Sequence, residues 1–163
     1  MISESPSLAK FEYISVVSPG MRDAVEALFF FNPRQRRVRE GIRVSVELFG
    51  RPKILEQDGK LWIGVSSGAT QCLFASDQSR SPARLAGVML YLRPTPDVLS
   101  ITHLAVDPDY VAGGSRGGDG LGLLLIEQVR QIARRINGVR RIELPYRNRC
   151  FLPVASGDQT SRG

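Results

Sequence analysis

The residues best placed to do chemistry lie between positions 104 and 122. The chain there reads Leu104-Ala105-Val106-Asp107-Pro108-Asp109-Tyr110, then a glycine-rich run ending Arg116-Gly117-Gly118-Asp119-Gly120-Leu121-Gly122. An apolar strand pattern precedes the run and a helical pattern follows it. The first turn of a helix leaves backbone N–H groups unpaired at the positive end of its dipole. Glycines at such a junction let a ligand approach those donors, so the stretch is a seat for phosphate or another anion. A plainer reading is a left-handed turn that only lets the helix pack closely. His103, beside this stretch, is the sole histidine and has the intrinsic pKa of a proton-transfer group. Period-2 alternation puts it on the opposite strand face from Ser100 and Thr102, where a packed histidine is expected rather than a catalytic one.

Two elements must position the glycines. Val98–Val106 reads as a strand, paired in a hairpin with Arg84–Leu92 across a proline-containing turn. Gly120–Asn137 is the clearest helix: Leu121, Leu124, Leu125, Val129, Ile132, Ala133 and Ile136 share one face, and Gly138 suits its C-terminal cap. Val139–Tyr146 reads as the last strand, and Pro145 marks where its pairing stops. Upstream, Phe11–Val17 reads as a strand. Met21–Phe31 reads as a helix, and a second runs from Pro33 to about Phe49, with Asn32 as its cap. That second helix has an apolar stripe, Val38, Ile42, Val46 and Phe49. Its other face carries Arg34, Arg36, Arg37, Arg39 and Arg43, which reads first as a solvated face. Leu61–Ser66 and Thr70–Ala75 read as two short strands or one bulged strand. The sum is an α/β (α+β) fold: a mixed, mostly antiparallel central sheet with flanking helices. Residues 1–9 are expected to be a flexible N-terminus, 10–150 one domain and 151–163 a flexible tail.

Composition narrows the classes. The 163 residues carry 22 Lys+Arg against 16 Asp+Glu, a net charge of +6. Such a surface favours polyanions and phosphate-bearing ligands alike. Two cysteines and one histidine cannot build a disulfide framework or a structural zinc site, so no metal is expected. Neither a secretory leader nor a membrane-length apolar run is visible, so cytoplasm is the expected location and no membrane partner is expected.

The glycine run lacks the Gly-Lys-Ser/Thr ending of a Walker A loop. It also lacks the third glycine of a dinucleotide fingerprint, because Leu123 follows Gly118-x-Gly120-x-x. With the Val106-Asp107-Pro108 strand end before it, Gly117-Gly118-Asp119-Gly120-Leu121-Gly122 resembles the acyl-CoA-binding signature of the GNAT superfamily of N-acyltransferases. Gly117 stands where the family has Gln or Arg, with Arg116 one residue early, and the preceding loop is longer than usual.

The resemblance covers Arg84–Asn148 and implies a GNAT-like acyl-CoA N-acyltransferase fold. It implies that N–H groups of Gly118–Gly122, with Arg116, hold the CoA pyrophosphate. It further implies that the backbone at Leu104, Ala105 and Val106 pairs with pantetheine like an added strand, that the neighbouring strand splays away, and that Asn148 contacts the cofactor. The implied reaction transfers acetyl from acetyl-CoA to a primary amine of a small molecule or protein. The family's base positions fall on Ser100 and Thr102, which are not bases, so His103 is the candidate base. Tyr146 and Cys150 are candidates to protonate the leaving thiolate. The helix and final hairpin usual after the last strand have no pattern here, and an exposed sheet edge would invite pairing with a second copy. The competing class is a non-catalytic module whose basic surface takes nucleic acid or an acidic protein. Nucleic acid is disfavoured because exposed aromatics do not interleave the arginines.

Overall fold

The computed structural model describes residues 10–65, 69–111, 114, 120–144 and 150–154. In chain order the elements are β1 (Phe11–Ile14), α1 (Arg22–Phe29), α2 (Arg39–Phe49), β2 (Pro52–Gln57), β3 (Lys60–Val65), β4 (Gln71–Asp77), β5 (Arg84–Thr95), β6 (Val98–Val106), α3 (Leu121–Arg134), β7 (Arg141–Leu144) and β8 (Cys150–Pro153). Short 3-10 helices lie at Pro19–Met21, Pro33–Val38 and Pro108–Tyr110.

The main sheet has the order β1-β4-β5-β6-β7-β8. Every neighbouring pair is antiparallel except β6 and β7, which run parallel on either side of α3. This is the mixed, mostly antiparallel sheet with flanking helices expected from the sequence.

The two sheet faces bury two apolar layers. On one, Leu121, Leu125, Ile126, Val129 and Ala133 of α3 meet Ala86, Met89 and Tyr91 of β5 and Leu99 and Ile101 of β6. On the other, Val25, Leu28 and Phe29 of α1 meet Val88 and Leu90 of β5 and Ala105 of β6. Strand alternation sends successive side chains to opposite layers, so β5 and β6 are buried on both faces. Gly87 sets how closely α3 approaches. A Cβ there would lie 3.0 Å from Leu125 Cδ1 and 3.2 Å from Leu121 Cδ2.

Several expectations need correction. Pro33 opens a 3-10 helix rather than an α-helix; the α-helix begins at Arg39. The stripe read on α2 is only partly covered: Ile42, Val46 and Phe49 are half-exposed, and the helix's buried residue is Ser45, outside the stripe. Pro52–Gln57 forms β2, which pairs with β3 in a separate two-stranded sheet. That sheet is tied to the main body where Val17 and Leu61 exchange backbone hydrogen bonds of 2.9 and 2.8 Å. The tail does not begin at 151, because Phe151–Pro153 pair with β7. Helix α3 ends at Arg134, and Gly138 adopts its left-handed conformation (φ +89°) in the following turn.

Candidate functional site

The site is organised by the outer edge of β6. The Asp107 N–H donates to Ala86 O of β5 at 2.8 Å. Backbone groups alternate direction along a strand, so Leu104 and Val106 present theirs to the opposite edge. Near its start that edge is covered by β7, with Val98, Leu99 and Ser100 opposite Arg141, Ile142 and Glu143. The register ends there, and β6 continues to Val106.

Helix α3 starts over this same end of β6. Gly120 caps it in the left-handed region (φ 61°, ψ 46°), a conformation glycine adopts without penalty. Leu121 is buried against the sheet. Gly122 faces β6: a Cβ there would sit 3.9 Å from Leu104 Cδ2 and 4.0 Å from Val106 Cγ2. The first-turn N–H groups, unpaired within the helix, therefore lie beside the end of β6 that β7 does not cover.

Side chains from the segment before α2 reach that edge. Asn32 Nδ2 donates to Val106 O at 2.8 Å, and Gln35 Nε2 donates to Leu104 O at 3.3 Å. Asn32 also caps the 3-10 helix as expected, its Oδ1 accepting from the Arg34 N–H at 3.0 Å. The cap has a local sequence pattern, whereas the contact with β6 joins residues 74 positions apart.

A bulge changes the facing of His103. Leu90 pairs with His103 and Tyr91 with Ile101, so Thr102 is the extra residue. Side-chain parity shifts there: Leu99 and Ile101 lie on the α3 side, and so do Leu104 and Val106. The opposite-face placement expected for His103 and Thr102 is thus overturned, since His103 Nδ1 lies 3.1 Å from Thr102 Oγ1. Thr102 Oγ1 donates to Leu90 O at 3.3 Å. The His103 ring packs on Phe29, centroids 5.5 Å apart, and is 4% exposed. Burial lowers its pKa to about 4, so the imidazole is neutral at pH 7. His103 Nε2 and Ser100 Oγ are buried without a hydrogen-bond partner. Ser100 lies at the end of the pairing with β7 and His103 beyond it.

The turn after β6 is fixed by charge and hydrogen bonding. Asp107 accepts from the Asp109 N–H at 2.9 Å and from Arg84 Nη2 at 3.0 Å. Arg84 also pairs with Asp109 at 2.8 Å and lies over the Tyr110 ring. Gly114 folds back so tightly that a Cβ would lie 2.5 Å from Pro108 O. Nothing in the motif alone signalled this anchoring, although Asp-Pro-Asp is a turn pattern with a mechanism.

The structure therefore brings Leu104, Val106, Gly120, Leu121 and Gly122 together, and it buries Ala105 on the α1 side. Arg116, Gly117, Gly118, Asp119, Pro145, Tyr146 and Asn148 lie outside the described residues. Among the described residues no helix is long and apolar enough to cross a membrane.

No protein-family model matches the chain, and no curated protein matches it. One solved structure that it is similar to is a GNAT-family protein from Desulfovibrio desulfuricans, provisionally named an acetyltransferase. The identity is 19%, 82% of this chain and 72% of that chain are covered, and the TM-score is 0.44.

Proposed function

We propose that this chain is an acetyl-CoA-dependent N-acetyltransferase acting in the cytoplasm on a primary amine of a small molecule or protein. The observation that carries the reading is the seating of Gly122 against Leu104 and Val106. It sets helix N–H donors beside a strand edge that β7 leaves uncovered. Phosphate donors beside a strand edge that, among the described residues, no other strand pairs suit a ligand that is anionic at one end and an extended amide chain at the other. Acetyl-CoA has that form and supplies a thioester whose carbonyl carbon the amine attacks.

In this reading Gly120–Gly122, with Arg116–Asp119, hold the pyrophosphate, Leu104 and Val106 align the pantetheine arm, and Asn148 contacts the cofactor. The amine nitrogen bonds to the acetyl carbon, the carbon–sulfur bond breaks, and the amine gives up a proton while the thiolate gains one. His103 and Tyr146 are the candidates for those proton transfers. A neutral imidazole held on β6 can accept a proton, but its burial makes it a weak base. The experiment is calorimetry with CoA and acetyl-CoA. Saturable binding is expected, and absence of affinity for both overturns the proposal.

A further inference from the structure

The Asn32 and Gln35 contacts fall on the very carbonyls of the uncovered β6 edge. Their spacing is matched to it. Residues three apart on a 3-10 helix lie on one side and rise about 6 Å. Carbonyls two residues apart on a strand are separated by about 6.6 Å. The 3-10 form of Pro33–Val38 therefore lets Asn32 meet Val106 while Gln35 meets Leu104. An α-helical start would rise only about 4.5 Å over the same step. Asn32 is buried and doubly engaged, capping with Oδ1 and donating with Nδ2. Gln35 is half-exposed and makes the longer contact.

We infer that Asn32 and Gln35 form a latch over the β6 edge that must release Leu104 O, and then Val106 O, before an extended amide chain can pair there. The inference rests on the proposed acyl-CoA reading and adds a regulatory step to it. Their side-chain amides stand in for the N–H donors of such a ligand, so ligand and latch compete for the same two acceptors. Gln35 releases first because it is the more exposed of the two and holds the longer bond.

Calorimetry on the wild-type chain, Gln35→Ala and Asn32→Ser tests this with three probes: CoA, pantetheine and adenosine 3′,5′-bisphosphate. Serine keeps an N-cap but cannot reach Val106. Gln35→Ala is expected to bind CoA and pantetheine roughly five-fold more tightly, the worth of one hydrogen bond that no longer has to be broken. Affinity for the bisphosphate, which has no amide chain, is expected to be unchanged. Asn32→Ser should shift the first two affinities in the same direction. Unchanged or weaker CoA binding by folded Gln35→Ala overturns the latch while leaving the proposed function standing. A gain that includes the bisphosphate overturns it too. If CoA binds none of the three proteins, the latch falls together with the acyl-CoA reading.

Discussion

The phenol of Tyr110 donates to Asp77 Oδ2 at 2.5 Å, fastening the turn after β6 to the end of β4. Asp77 is fully buried. Burial alone would raise its pKa, but hydrogen bonds from Ser79 and Tyr110 and the charge of Lys10 outweigh it, and the carboxyl titrates near pH 2. Removing the phenol leaves a buried carboxylate one donor short. Tyr110→Phe should lower unfolding stability by about 1–3 kcal/mol in urea titrations. The acid limb carries the sign. A depressed carboxyl pKa contributes stability above its ordinary value near 3.8 and loses it as pH falls toward 2. In Tyr110→Phe the folded pKa moves up toward 3.8, so that loss should be smaller and complete at a higher pH.

His103 adds a loss of the same sign at higher pH. Its folded pKa, about 4, lies below the ordinary 6.5 because of burial. Between those values the unfolded chain takes up a proton that the folded chain refuses. Stability should therefore fall as pH drops from 6.5 to 4, by on the order of 3 kcal/mol over the interval. His103→Gln should flatten that slope in pH-dependent denaturation. A slope that survives the substitution would assign it elsewhere.

The two glycines at the start of α3 should respond differently. Gly120 is left-handed with open space where a Cβ would go, so Gly120→Ala should cost about 1–2 kcal/mol of stability and, by straining the turn proposed to hold the pyrophosphate, weaken CoA binding only through that strain. Gly122 already faces Leu104 and Val106 at contact distance. The branches of Gly122→Val would push the helix start off β6, and CoA affinity should fall at least about ten-fold, the equivalent of 1.4 kcal/mol. Calorimetry beside thermal melts separates the two effects.

Gly87 tests how α3 is seated. A methyl there meets the Leu125 and Leu121 side chains and, at 3.4 Å, Ala105 O. Gly87→Ala should cost about 1–3 kcal/mol by overpacking. Adding Leu125→Val, which shortens the side chain that the methyl meets first, should recover part of that loss in melting temperature.

What could be read in the sequence is what local chemistry dictates. Val98–Val106 and α3 announce themselves through periodicity, Gly120 through its position and Asn32 through its capping pattern. Strand β2 escaped because Pro52 resembles a stop and Ile54-Leu55 breaks the alternation of a strand that is largely exposed. Strand β8 escaped because its four residues end on a proline at the sheet edge. The bulge at Thr102 has no glycine to mark it, yet it decides which way His103 faces. The bonds from Asn32 and Gln35 to β6 depend on how α1 and α2 lie on the sheet, and no window of neighbouring residues encodes that.

The position of β1 in the sheet has a consequence for the order of assembly. The β5–β6 hairpin closes across Pro96 and Asp97, and α3 is the next α-helix in the chain. Strand β1 must instead find β4, pairing Phe11 with Asp77 and Ile14 with Phe74. Such a distant partner makes closure slow relative to a hairpin. On a ribosome, β1 therefore emerges first and waits through the synthesis of two helices and a separate hairpin before its partner exists. Pulse-labelled amide exchange during refolding should find β5 and β6 protected before Phe11–Ile14.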